Sequence, residues 1–131
     1  MAAEQLVVTD SNGEQRLTVP IEEGSTVTIE YTHSVEKTLV RDIYVVDDGA
    51  FVMSRMEFSS FGAGLPAQAD VRVEDGRYVY EPPAQQHTTL RVATGQIADH
   101  DLIVDGTRYD LAAIADGETV ELRIQRVKTL L

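Results

Sequence analysis

The sequence predicts an all-β domain: an antiparallel β-sandwich, or a partly open barrel, of about nine to eleven short strands with one short helical turn near residues 110–116. Apolar and polar side chains alternate in several short segments, and turn-forming dipeptides separate these segments. Short strands joined by turns are typical of sandwiches and barrels, whereas βαβ units need helical segments between the strands. The length of 131 residues suits one domain, spanning residues 1–131.

The alternation is clearest in residues 27–32 and 120–125, where every second side chain is apolar. A period of two residues indicates a strand with one buried face and one solvated face. The other predicted strands are residues 4–9, 15–19, 38–46, 50–59, 70–74, 77–81, 88–93, 101–105 and 107–110.

Five dipeptides of Asn or Asp followed by Gly mark the predicted reversals between strands. Such a pair suits a two-residue type I′ hairpin, in which both central residues have a positive φ. The helical turn is predicted at residues 111–115, with Asp110 as its N-terminal cap and Gly117 ending it. The dipeptides are Asn12-Gly13, Asp48-Gly49, Asp75-Gly76, Asp105-Gly106 and Asp116-Gly117.

The charge balance is strongly acidic, with 22 acidic against 11 basic residues and a net charge of -11. Lys37 and Lys128 are the only lysines. An anionic surface repels phosphate, so we expect no binding to nucleic acid and no strong binding to anionic membrane surfaces. An acidic, lysine-poor composition is typical of halophilic proteins, because concentrated salt screens the self-repulsion. An ordinary acidic protein is the alternative.

Cysteine is absent, which excludes disulfides, thiolate metal sites and cysteine nucleophiles. No apolar stretch reaches the roughly 18 residues needed to cross a bilayer, and the N-terminus lacks the pattern of a secretion signal. We expect no cofactor.

One candidate binding segment is the turn that contains His33, Ser34, Glu36 and Lys37, which follows a predicted strand. Its polar groups could recognise a ligand. A hydrolase is the alternative, in which His33 acts as a base together with Ser34 or Glu36. A third interpretation makes the turn purely structural, with solvated charges.

The second candidate segment is a glycine-rich loop that contains Ser60, Gly62, Gly64 and Pro66. Its glycines formally match a dinucleotide-binding pattern, but that chemistry needs a helix directly after them, and a strand is predicted there instead. Exposed amides in such a loop could form a small anion-binding nest, and plain architecture is the alternative. We expect the loop and the His33 turn to form one ligand-binding surface.

The three histidines, His33, His87 and His100, do not have the spacing of a known metal motif. The run Asp99-His100-Asp101 is the most suggestive, but a metal site there would need ligands from further loops. We therefore predict no metal site and expect solvated loop histidines.

The two candidate segments together carry a family resemblance. THSVEKT at residues 32–38, followed by a strand pair and FSSFGAGLP at residues 58–66, resembles the domain-of-unknown-function family eighteen-fifty, and the likeness continues through residues 120–127. Members of that family resemble small extracytoplasmic or membrane-attached proteins that are often encoded beside TAXI-type TRAP transporters. The resemblance implies an accessory role in solute uptake, with a small solute or a TRAP transporter subunit as partner.

Three functional hypotheses follow. The first is a non-enzymatic accessory domain that binds a small ligand or a transporter subunit through the His33 turn and residues 62–66. The second is the hydrolase. The third is a structural or assembly domain, which predicts no concave pocket between the two loops.

Overall fold

The computed structural model of the chain describes residues 2–33, 37–59, 71–94 and 98–128. These residues form twelve strands and one short helix, which confirms the all-β prediction. Within those ranges, no helix reaches the length and apolar character that a membrane-spanning segment needs. The elements are β1 (Ala2–Thr9), β2 (Gln15–Ile21), β3 (Thr26–Thr32), β4 (Leu39–Asp47), β5 (Ala50–Phe58), β6 (Val71–Glu74), β7 (Arg77–Tyr80), β8 (Gln86–His87), β9 (Thr89–Ala93), β10 (Asp101–Val104), β11 (Thr107–Tyr109), α1 (Leu111–Ala115) and β12 (Thr119–Lys128).

The strands form two antiparallel sheets. The small sheet has the order β2-β1-β12-β9, and the large sheet has the order β11-β10-β3-β4-β5-β7-β6, with β8 also paired to β5. Each sheet begins and ends with a different strand, so neither closes into a barrel. Of the two predicted architectures, the sandwich is therefore the one observed.

The core lies between the two sheets and follows the alternation read from the sequence. Leu6 and Leu122 of the small sheet and Phe51 and Leu102 of the large sheet are fully buried in one apolar cluster. Burying side chains of this size, at roughly 25 cal/mol per Å² of apolar area, is the main favourable contribution to folding. Helix α1 adds Leu111 and Ala115 to the same cluster.

Three of the five predicted reversals are two-residue hairpins with positive φ at both central residues. Asp48 and Gly49, for example, have φ values of 52° and 73° and connect β4 to β5. The reversal at Asn12-Gly13 differs, because only Gly13 has a positive φ, of 81°. There the buried Asp10 carboxylate accepts hydrogen bonds from the Asn12 and Glu14 amides at 2.8 and 3.0 Å, which fixes a longer turn.

Helix α1 begins and ends close to the predicted residues. The Asp110 carboxylate accepts a hydrogen bond from the Ala113 amide at 3.1 Å, as expected for an N-terminal cap. Asp116 directly follows the helix and has a left-handed backbone conformation, with φ 51°, and Gly117 continues the turn.

A β-bulge in β5 decides which side chains of the large sheet face outward. Ile43 pairs with Arg55 and Tyr44 pairs with Met53, so Ser54 is an extra residue, and its hydroxyl donates to the Ile43 carbonyl at 3.2 Å. Such an insertion reverses the phase of the side chains that follow. Arg55 and Glu57 consequently lie on the outer face of the sheet.

Candidate binding site at the ends of strands β4 and β5

The ends of the neighbouring strands β3, β4 and β5 lie side by side, at the margin of the large sheet that runs across the strands. Thr32 at the end of β3 pairs with Leu39 at the start of β4, and Val40 pairs with Phe58 at the end of β5. The connection after β3 and the connection after β5 therefore both leave the sheet at this edge. These are the two connections that contain the predicted binding residues.

Part of the predicted site lies within the described residues. The His33 amide donates to the Thr38 carbonyl at 2.8 Å, and the Lys37 amide donates to the His33 carbonyl at 2.7 Å, so backbone hydrogen bonds close this turn. Lys37 has φ 57° and an exposed side chain. The other six predicted residues lie outside the described residues, so their convergence with the turn, and the hydrolase geometry, stay predictions. They are Ser34, Glu36, Ser60, Gly62, Gly64 and Pro66.

A cleft of about 250 Å³ opens on the outer face of the sheet beside these strand ends. We call it the edge cleft. It is bordered by the residues that directly follow the His33 turn and those that directly precede the glycine loop. One of them, Leu39, is an exposed large apolar side chain, with 45% of its surface accessible. The cleft is lined by Thr38, Leu39, Arg41, Glu57, Phe58, Ser59 and Arg77.

Three arginines converge on one carboxylate in the floor of the edge cleft. Glu57, whose side chain is only 12% exposed, lies 2.8 Å from a guanidinium nitrogen of Arg55 and 3.4 Å from one of Arg77. Arg41 approaches the same carboxylate at 3.7 Å from the neighbouring strand. Glu57 thus lies within ion-pair distance of three guanidinium groups, and Arg77 donates a hydrogen bond to it.

The ion pairs continue across the outer face from β4 through β3 toward the lateral strands β10 and β11. Arg41 also donates to Glu30 at 2.6 Å, and Arg108 bridges Glu30 and Asp101 at 2.8 and 2.7 Å. Burial on its own raises the pKa of Glu30, but hydrogen bonds from Arg108 and Arg41 outweigh that effect and hold the pKa below its ordinary value. Glu30 is thus an ionised, fully paired carboxylate at neutral pH.

With this geometry in place, the chain can be compared with known proteins. A model of the family described as domain of unknown function (DUF1850) matches residues 27–111. The chain belongs to this family. The DUF1850 match runs from β3 to the start of α1 and contains the whole edge cleft. The comparisons with curated proteins and with solved structures give no match.

The arginines of this DUF1850 domain are the site residues that sequence reasoning missed. The sequence contains no basic run, because Arg41, Arg55 and Arg77 come from three different strands and meet only when the sheet forms. The alternation of buried and exposed residues in β4 contains one indication of this cluster, because Arg41 occupies an outward position between the inward apolar residues Val40 and Tyr44. Recognising the cluster would also have required the register of β4 against β5 and the Ser54 bulge.

The described part of the chain contains no group of three or more His, Cys, Asp or Glu side chains that could hold a metal ion. In the Asp99-His100-Asp101 run, Asp101 pairs with Arg108 on the outer face. His100 is buried, with 8% of its surface accessible, so the expectation that it is a solvated loop histidine is wrong. The Ala112 amide donates to the His100 carbonyl at 2.9 Å, and this backbone bond ties the residue to the start of α1.

Proposed function

We propose that this DUF1850 domain is a non-enzymatic accessory domain that binds an anionic group at the edge cleft, with the His33 turn and residues 62–66 forming its rim. The anionic group is a carboxylate carried by a small solute or by a TRAP transporter subunit. The observation that carries this proposal is the convergence of Arg41, Arg55 and Arg77 on the single carboxylate of Glu57.

Hydrogen-bond capacity supports a carboxylate as the ligand. Each guanidinium has five N–H donors in a planar fork, whereas a carboxylate offers about four acceptor positions. Arg41 also donates to Glu30, and the three arginines still carry more donors than Glu57 and Glu30 together can accept. Arg41 and Arg77 line the cleft, where a second carboxylate could accept from the remaining donors in the bidentate geometry that arginine favours.

The apolar part of the cleft supports a ligand that is more than an inorganic ion. Leu39 lines the cleft beside the arginines and has nearly half of its surface exposed, whereas the side chain of Phe58, at the same strand ends, is fully buried. An exposed large apolar side chain next to a charged group suits a ligand with a carboxylate and an apolar body. A purely structural domain needs no such cleft between the two connections, so the cleft favours the binding hypothesis.

The experiment is a titration of the isotope-labelled protein with benzoate, followed by nuclear magnetic resonance at constant ionic strength. Benzyl alcohol, which has nearly the same shape and no charge, is the matched ligand control. We expect saturable shifts of the Arg41 and Arg77 side-chain N–H signals and of the Leu39 and Ser59 amides with benzoate, and much weaker shifts with benzyl alcohol.

Two variants separate the cleft from general charge effects. Arg77→Gln removes a cleft guanidinium and is expected to weaken benzoate binding about tenfold. Arg123→Gln removes an arginine of the small sheet that pairs with Glu121, and it is expected to leave binding unchanged. Equal weakening in both variants, or equal response to benzoate and benzyl alcohol, contradicts the proposal.

A further inference from the structure

Four charged residues lie directly opposite one another across four neighbouring strands of the large sheet. Asp101 on β10 pairs with Glu30 on β3, Glu30 pairs with Arg41 on β4, and Arg41 pairs with Glu57 on β5. We call these four residues the charged row. Opposite side chains on one face of a sheet have Cβ atoms about 5 Å apart, so their charges interact. Arg41 and Glu57 line the edge cleft, whereas Glu30 and Asp101 lie further along the row.

Arg41 is bound more closely by Glu30 than by Glu57. The Arg41 Nε atom donates to Glu30 Oε2 at 2.6 Å, which is a short, charge-assisted hydrogen bond. The Arg41 Nη1 atom lies 3.7 Å from Glu57 Oε1, which is beyond hydrogen-bond distance. A guanidinium group is planar and rigid, so a bond at Nε restricts the directions of its terminal N–H groups. Glu30 therefore sets the orientation of Arg41, and Nη1 keeps donors that do not bond to Glu57.

Glu30 is itself held in place on its other side. Its second carboxylate oxygen, Oε1, accepts from Arg108 Nη1 at 2.8 Å, and the same Arg108 atom lies 2.7 Å from Asp101 Oδ2. Glu30 and Asp101 are like charges at opposite positions, which is unfavourable on its own. Arg108 supplies the cation that bridges them. The Glu30 side chain is only 10% exposed, so pairing and burial together limit its movement.

Glu57 competes with a ligand for Arg41. It is the second carboxylate that pairs with this guanidinium, in addition to Glu30. Without the bond to Glu30, attraction to Glu57 would draw Arg41 across the 3.7 Å gap into a direct hydrogen bond. A ligand would then have to break that bond and order a long side chain, and both costs lower affinity. The bond to Glu30 avoids these costs because it orders Arg41 before a ligand arrives.

We propose that Glu30 is a positioning residue of the edge cleft, which holds the Arg41 guanidinium apart from Glu57 so that its terminal N–H groups stay available to an anionic ligand. The proposal rests on the proposed function of this cleft and adds a residue to it. Glu30 does not contact the ligand and acts through Arg41, with Arg108 and Asp101 as its supports.

Charge and positioning predict opposite effects for Glu30→Gln. The substitution removes a negative charge close to a site for an anion, so the charge effect alone makes benzoate bind more tightly. The positioning effect makes benzoate bind more weakly, because a neutral amide holds Arg41 less strongly than a carboxylate does and Arg41 turns toward Glu57. We expect the positioning effect to be larger, with benzoate binding about threefold weaker, in the range of the cost of ordering one long side chain on binding.

The matched control is Glu121→Gln on the small sheet. Glu121 also binds two arginines, Arg91 at 3.2 Å and Arg123 at 2.7 Å, so its substitution changes the net charge and breaks ion pairs in the same way. Both variants are titrated with benzoate at constant ionic strength. We expect the benzoate affinity of Glu121→Gln to stay close to that of wild type.

The Arg41 Nε–H signal in nuclear magnetic resonance gives a second readout. A short bond to a carboxylate moves this proton signal downfield and restricts the motion of the group. In the wild type we expect a downfield, ordered signal before benzoate is added, and no gain of order at saturation. In Glu30→Gln we expect the signal to move upfield. The wild-type measurement decides the question even if Glu30→Gln does not fold.

The positioning role and the proposed function fail in different ways. If the wild type does not bind benzoate, the proposed function of the cleft is wrong, and so is the role of Glu30 in it. If the wild type binds benzoate, three results overturn the positioning role alone. They are an Arg41 Nε–H group that becomes ordered only when benzoate binds, unchanged or tighter binding in Glu30→Gln, and equal weakening in Glu121→Gln.

Discussion

Replacing Asp42 by asparagine should remove a defined, pH-dependent loss of stability. In the unfolded chain the carboxyl has its ordinary pKa of 3.8, and in the folded protein burial raises the pKa to about 6. Below about pH 3 both states are protonated and Asp42 adds no pH dependence. Between about pH 4 and pH 6 the unfolded state ionises first, so the folded state loses stability as the pH rises. Above that range the loss is constant.

The size of the effect follows from the two pKa values. Each unit of difference corresponds to about 1.4 kcal/mol, so a rise from 3.8 to about 6 amounts to about 3 kcal/mol at neutral pH. The asparagine side chain of the variant cannot ionise, although its amide occupies the same buried position. The free energy of unfolding of Asp42→Asn relative to wild type should therefore rise by about 3 kcal/mol between pH 3 and pH 7.5.

The assay is urea denaturation of wild type, Asp42→Asn and Asp47→Asn at several pH values. Other carboxylates, such as Glu30, have lowered pKa values and make the protein more stable as the pH rises. Only the difference between variant and wild type isolates Asp42. A difference that stays constant with pH, or one that Asp47→Asn reproduces at an exposed position of the same strand, refutes the conclusion that burial raises the pKa of Asp42.

Three further predictions concern the fold. Phe51→Ala empties a fully buried position in the core and should lower the free energy of unfolding by roughly 3–5 kcal/mol in urea denaturation; a loss below 1 kcal/mol contradicts the packing described. Ser25→Ala removes a buried hydroxyl that donates to Asp105 at 2.8 Å and so joins the turn before β3 to the turn between β10 and β11. It should cost about 1–3 kcal/mol in the same assay, and no change is expected if these two turns are independent. Asp110→Ala removes the helix cap and should cost about 1 kcal/mol and speed amide exchange at Ala113; unchanged exchange rules out the cap.

Most of the fold could be predicted because its signals are local. Alternation in residues 27–32 and 120–125 gave β3 and part of β12, and Asp-Gly pairs such as Asp48-Gly49 gave hairpins with positive φ at both residues. The exception, Asn12-Gly13, depends on a side chain outside the dipeptide, since Asp10 holds the turn through two amides. The choice between sandwich and barrel depends on strand order, which no local pattern contains.

The binding residues were harder to predict because they depend on register. The Arg41, Arg55 and Arg77 cluster needs three strands in alignment and a bulge at Ser54, and a one-residue shift would turn these side chains to the other face. Asp42 had a signal in the sequence, since a charged residue at an inward position of a strand is unusual. The signal is obscured because Arg41, Asp42 and Ile43 do not alternate between polar and apolar residues.

The role of the edge cleft is tested most directly by the crystal structure of the protein in complex with 4-bromobenzoate, whose bromine is located by anomalous scattering. The account predicts one strong anomalous peak in the edge cleft beside Leu39, with the carboxylate bound by the guanidinium groups of Arg41 and Arg77. A fully occupied ligand elsewhere on the molecule, with the edge cleft holding only solvent, would contradict it.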